Sequence, residues 1–153
     1  MGVLSRERGA SLVEFALLLP FMAFLLVGVI DFGRAYYWNI EVTNAAYTGA
    51  LYGMQNNTDT VGMQKAATAD APNVPGFTAT ASFGCECANV ANATFCPTAL
   101  SNSCANPACA PATMNVVTLV RVCTKATFTP LFPWTGIPST ITMQGSSTLR
   151  AGQ

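Results

Sequence analysis

An apolar run near the N-terminus limits what this chain can fold into more than any other feature. The run extends from Ala10 to Ile30, and only Ser11 and Glu14 interrupt it. Such a segment rises by about 30 Å as an α-helix, which matches the hydrocarbon thickness of a bilayer. A carboxylate inside a membrane span is costly unless it has a partner or a role, so Glu14 is the first candidate functional residue.

The segments on either side of this run predict the orientation of the helix. Residues 1–9 form a short leader that contains Arg6 and Arg8. Positive charge beside a span favours the cytoplasmic side, so we expect the rest of the chain to lie outside the cytoplasm. A secretory signal peptide is the alternative. The residues after Ile30 offer a poor small-x-small cleavage site, and the helical pattern continues past them.

The remaining patterns predict an α+β protein. We expect one long helix over residues 10–55, with its first half in the membrane, and a small globular domain over residues 56–153. A second helix is predicted from Thr60, as its capping residue, to Ala71. Apolar residues at every second position then predict a roughly three-stranded antiparallel sheet, with strands at residues 77–83, 115–128 and 139–149.

Two groups of residues are expected where the span meets this domain. Asp31 and Arg34 have the spacing of a helical ion pair, and residues 36–38 (Tyr-Tyr-Trp) are expected in the lipid headgroup layer. The turn before the third strand carries large apolar residues that could form an exposed contact patch or plug a small core. We favour the plug for these residues, which are Phe132, Trp134 and Ile137.

Cysteine usage predicts a disulfide framework in an oxidising compartment. The chain has an even number of cysteines, all of them after the apolar run: Cys85, Cys87, Cys96, Cys104, Cys109 and Cys123. We expect disulfides to staple the loop at residues 84–112, which has few large apolar groups of its own. Reduced buried thiols or a zinc site are the alternatives, but paired C-x2-C knuckles are absent from the sequence.

Charge and composition argue against several classes of function. Seven basic and seven acidic residues cancel, so the chain has no broad positive field and we expect no nucleic-acid partner. Histidine, the commonest general base and metal ligand, does not occur in the sequence. A thiol oxidoreductase that uses Cys85 and Cys87 is the weakest hypothesis, because no basic group near them in the sequence would lower their pKa. We expect no enzymatic activity, no cofactor and no metal.

The segment from Gly9 to Phe15 has the form of a type IV prepilin processing site: a glycine, then a glutamate at the fifth position after it, then apolar residues. Together with residues 16–20, 28–35 and 43–46, and less closely residues 127–150, it resembles the TadE-like family of pseudopilins. This resemblance implies that Gly9 precedes the cleavage site, that Ala10 is the mature N-terminus and that Glu14 is the assembly glutamate.

The resemblance further implies a minor pilin or pseudopilin of a tight-adherence, type IV-like pilus. Its expected partners are a prepilin peptidase, other pilin subunits and the bacterial inner membrane, which it would cross once with its N-terminus in the cytoplasm. The globular domain would then be periplasmic or extracellular. The alternative function is a single-pass anchored binding module that does not polymerise and that presents its disulfide-rich loop to a partner.

Overall fold

The computed structural model describes residues 7–87, 96, 100, 116–132 and 136–152 of the chain. These residues form two helices and three strands in the predicted order, so the α+β class is confirmed. The predicted Arg6, Cys104, Cys109 and Trp134, with most of the loop at 84–112, lie outside the described residues. The elements are α1 (Glu7–Gln55), α2 (Thr60–Asp70), β1 (Thr78–Cys87), β2 (Val116–Phe128) and β3 (Ile141–Arg150).

Helix α1 is a single helix of 49 residues with two different halves. Its first half exposes its large apolar side chains, and Pro20 lies within it. Its second half is amphipathic, and the buried residues there are small: Val42, Ala45, Ala46 and Ala50. Small side chains let this half approach the sheet and α2 closely. One helix is therefore both an apolar rod and part of a globular core.

Helix α2 packs beside the second half of α1 and is capped by a residue we did not predict. Asp59, not Thr60, is the N-cap, and its carboxylate accepts a hydrogen bond of 2.8 Å from the backbone N–H of Gly62. Tyr52 of α1 donates its hydroxyl to the same carboxylate at 2.9 Å. These two hydrogen bonds lower the pKa of Asp59, because both favour its ionised form, and the bond from Gly62 has the larger effect.

The strands form an antiparallel sheet in the order β1-β2-β3, and both helices cover the same face of it. Val120, Val122 and Ala126 alternate along β2 and are fully buried under the helices. The even-numbered face of β2 is therefore the core face. β1 extends to Cys87, beyond the predicted end at Phe83, because the whole length of β2 is available to pair with it.

The core is densest where α1 crosses β3. Gly145 faces the helix, and a Cβ added there would lie 2.6 Å from the backbone oxygen of Val42 and 2.6 Å from Oγ1 of Thr124. Thr124 donates to the same Val42 oxygen at 2.7 Å. Backbone thus packs against backbone at this point, and only a glycine leaves enough room.

The opposite face of the sheet contacts Cys96 and Leu100, the two described residues between β1 and β2. Cys96 is bonded to Cys123 of β2, with 5.8 Å between their Cα atoms. On the same face, Ser82 is buried and accepts a hydrogen bond of 3.1 Å from the N–H of Leu100. Arg121 is also buried there, 3.7 Å from the carboxylate of Glu86. The prediction that Cys123 fixes the loop to regular structure is confirmed.

Candidate functional site

The first half of α1 is an apolar surface that the described part of the chain leaves uncovered. Its best 18-residue window has a mean hydropathy of 2.5 and no buried residue, so this helix is long and apolar enough to cross a membrane. Its large apolar side chains are 45% to 75% exposed. They are Leu12, Val13, Phe15, Leu17, Leu18, Leu19, Phe21, Met22, Phe24, Leu25, Leu26, Val29, Ile30 and Phe32.

Glu14 is the only charged residue between Gly9 and Asp31, and it is exposed on this apolar half. Ion pairs within the described part of the chain join Asp31 to Arg34 and Glu86 to Arg121, and neither includes Glu14. Glu14 is four positions after Ala10, so the two residues are about one helical turn, or about 6 Å, apart along the helix axis. In a membrane, the charge partner of Glu14 therefore has to be solvent, lipid headgroups or another molecule.

Gly9 lies in the first turns of the helix, where a glycine weakens a helix by about 1 kcal/mol relative to alanine. A Cβ built on Gly9 would meet nothing within 4 Å. Packing within the described chain therefore gives no reason for a glycine at this position. Gly33 is also helical and equally open, which makes it a matched control for substitutions at Gly9.

A carboxylate holds the apolar helix to the sheet where the span ends. Asp31 is 4% exposed, and both of its oxygens lie 3.1 Å from the backbone N–H of Leu131, in the connection after β2. Arg34 lies 3.5 Å from the same carboxylate, so the predicted ion pair is confirmed. The bond to Leu131 joins residues 100 positions apart, and no local pattern in the sequence indicated it.

An aromatic stack continues this junction into the domain. The guanidinium of Arg34 lies 5.4 Å from the ring centroid of Trp38 and 5.6 Å from that of Phe128. The two rings meet edge to face, with 5.3 Å between their centroids. Trp38 was expected in the headgroup layer with Tyr36 and Tyr37. It packs on the end of β2, whereas both tyrosines are exposed, and the headgroup layer stays a prediction for all three.

An apolar crevice of about 280 Å³ lies between the helix and the β2–β3 connection. Gly28 and Phe32 line its helical side, and Ile137 lines the opposite side. Phe132 and Ile137 are 52% and 49% exposed, so the prediction that they plug a small core is wrong.

The described cysteines are held in disulfides. Cys96 pairs with Cys123, and Cys85 and Cys87, which lie two residues apart in β1, are also disulfide-bonded. A cysteine in a disulfide has no thiolate to offer as a nucleophile or a metal ligand. Within the described residues, no group of three or more histidine, cysteine or acidic side chains could hold a metal ion.

Comparison with known families identifies the N-terminal part of the chain. The family model described as TadE-like protein matches residues 9–51. This is a TadE-like segment. The match supports a protein associated with the Tad pilus, whose proteins are membrane-associated. No curated protein and no solved structure matches the chain.

The TadE-like segment begins at Gly9 and contains every element of the site on α1. It includes the apolar half with Glu14, the junction at Asp31 and Arg34, and most of the half that packs on the sheet. The loop residue Leu131 and the cysteines lie outside the match. The predicted Gly9, Ala10 and Glu14 lie together within two turns at the start of the TadE-like helix, far along the chain from the disulfides.

Proposed function

We propose that the chain is a minor pilin or pseudopilin of a Tad pilus, cut after Gly9 by a prepilin peptidase and assembled through its N-terminal helix. The observation that carries this proposal is the coincidence of the TadE-like match with an uncovered apolar segment, between Gly9 and Asp31, whose only charged residue is Glu14. The role is structural rather than catalytic. The disulfide-bonded domain would lie on the periplasmic or outer side of the inner membrane.

Cleavage after Gly9 would supply a partner for Glu14, which forms no ion pair within the described part of its own chain. It would remove the leader with Arg6 and Arg8, and it would leave a free amine on Ala10. When helices pack side by side in a filament, headgroups and water are excluded, and a charge without a partner becomes costly. The amine of one subunit beside Glu14 of the next would satisfy both charges. It would also set the register of assembly.

The first test is the mature N-terminus of the protein purified from a host that has the peptidase. We expect Ala10 at the N-terminus for the wild type and for Gly33→Ala, and an uncut chain for Gly9→Ala. Gly9 and Gly33 are both open helical positions, so an effect of alanine on helix stability or on packing should be similar at the two positions. An intact Met1 in the wild type would contradict processing.

The second test separates a pilus subunit from a non-polymerising binding module. In cells that assemble the pilus, we expect Glu14→Gln to be processed but absent from sheared filaments. Glu7→Gln is the matched control, because cleavage removes Glu7 and the mature subunit is then unchanged. Normal recovery of the Glu14→Gln subunit in filaments would refute the assembly role and would favour the anchored binding module.

A further inference from the structure

The described part of the connection between β2 and β3 lies beside the end of the apolar segment. Asp31 is the first charged residue after Glu14, and its carboxylate is bonded to the backbone N–H of Leu131. The start of the connection is therefore held at the height where the helix leaves the hydrocarbon. We name its described residues, 129–132 and 136–140, the β2–β3 loop.

The crevice that the β2–β3 loop lines extends below that height. Ile137 and Gly28 line the same crevice. Gly28 is three residues before Asp31, which places it about 4.5 Å further into the apolar segment. A membrane that covers the helix up to Ile30 would therefore meet the described residues of this loop as well.

The composition of the β2–β3 loop suits such an environment. It contains no Asp, Glu, Lys or Arg. Leu131, Phe132 and Ile137 are 61%, 52% and 49% exposed, on a part of the domain adjacent to the span. Large apolar and aromatic side chains at this depth favour the interfacial layer of a bilayer.

The backbone of the loop is also suited to low polarity. Two of its nine described positions are prolines, Pro130 and Pro138, which have no N–H group. The N–H of Leu131 is satisfied by Asp31. Polar backbone groups without partners are what normally excludes irregular segments from lipid, so this loop has fewer donors to satisfy than an ordinary loop of its length.

We propose that the β2–β3 loop is a second membrane contact, inserted into the interfacial layer of the outer leaflet beside the TadE-like helix. This inference rests on the membrane-spanning helix of the proposed function. The helix alone would leave the whole molecule free to tilt in the membrane. With Leu131, Phe132 and Ile137 in the interface, and Asp31 tying the loop to the helix, the domain has two attachment points and one orientation.

The depth of the loop can be measured on the full chain in nanodiscs that hold one copy each. The discs would contain phosphatidylethanolamine and phosphatidylglycerol, with or without brominated acyl chains. A fluorescent coumarin amino acid would replace Ile137, Val61 or Leu25, one position per sample. Val61 is an apolar residue of α2 that is 57% exposed, at the end of the domain far from the span. Its side chain is therefore about as exposed as that of Ile137, but it lies farther from the membrane.

We expect the brominated lipids to quench the fluorophore strongly at Leu25, partly at Ile137 and not at Val61. Quenching at Leu25 with no more quenching at Ile137 than at Val61 would overturn the loop contact while leaving the spanning helix intact. Absence of quenching at Leu25 would overturn the span and the loop contact together. A fluorophore at Leu131 repeats the measurement if the Ile137 sample does not fold, and the same outcomes apply.

Discussion

Removing the carboxylate of Asp31 should release the β2–β3 loop from the helix without unfolding the domain. In Asp31→Ala the N–H of Leu131 loses its acceptor, which both carboxylate oxygens provide at 3.1 Å. Arg34 keeps its contacts with the rings of Trp38 and Phe128, and the buried core under the helices is not touched. The effect should therefore be confined to the junction.

The size of the effect follows from the geometry of this contact. A hydrogen bond to a charged group contributes about 1.5 to 3 kcal/mol, and Asp31 is almost fully buried, so solvent screens the bond little. Because about 1.4 kcal/mol corresponds to a factor of ten, the amide of Leu131 should exchange roughly 10 to 150 times faster in the variant. Amide hydrogen exchange read by NMR on the full chain in micelles measures this rate directly.

Two comparisons make the exchange measurement decisive. The N–H of Ala151 bonds to the oxygen of Thr118 at 3.0 Å, away from the junction, so its exchange should not change. Asp31→Asn keeps one oxygen acceptor without the charge, and its effect on Leu131 should be intermediate. Unchanged exchange at Leu131 in Asp31→Ala would refute the reasoning, and faster exchange at both amides would indicate general destabilisation instead.

Three further predictions concern the domain. Gly145→Ala should lower the free energy of unfolding of the domain by about 1 to 3 kcal/mol through overpacking. Each kcal/mol should lower its Tm by about 4 to 8 °C. Gly152→Ala, at an open position, is the control and should melt like the wild type. Because the pKa of Asp59 is lowered in the folded state, its ionised carboxylate contributes to stability above the ordinary aspartate pKa of about 4. That contribution is lost as the pH falls through the folded-state pKa, so acid should broaden the NMR signals of the α2 amides. Asp59→Asn should remove this pH dependence. Replacing Cys96 and Cys123 together by serine should destabilise the domain by about 2 to 4 kcal/mol in denaturant titrations, and an unchanged midpoint would show that this bridge contributes little.

Local periodicity was sufficient to predict most of the fold. The alternation along β2 placed Val120 and Val122 on one face, which is the buried one, because side chains of a strand alternate between its two faces. The length of the apolar run predicted the first half of α1. The cap at Asp59 was displaced by one residue, since Thr60 is an equally good capping type and only the geometry of the turn chooses between them.

Contacts between distant segments could not be predicted in this way. Nothing near Asp31 in the sequence indicates Leu131, because the bond depends on the register of β2 and on where α1 crosses the sheet. The large apolar residues of the β2–β3 loop were expected to plug the core for the same reason. The sequence does not reveal that Ala45, Ala46 and Ala50 bring the helix so close to the sheet that no space remains.

The positions of the two acidic residues on α1 indicate when the charge of Glu14 becomes important. Seventeen residues separate Glu14 from Asp31, or about 26 Å of helix, which is slightly less than the hydrocarbon thickness of about 30 Å. In the proposed orientation, with Asp31 at the outer edge of the membrane, Glu14 would lie near the inner edge, within reach of headgroups and water. Its ionised form is therefore tolerable in a single subunit in the membrane. Only packing against other helices removes that solvation, so the cost of leaving Glu14 without a partner arises at assembly and not at insertion.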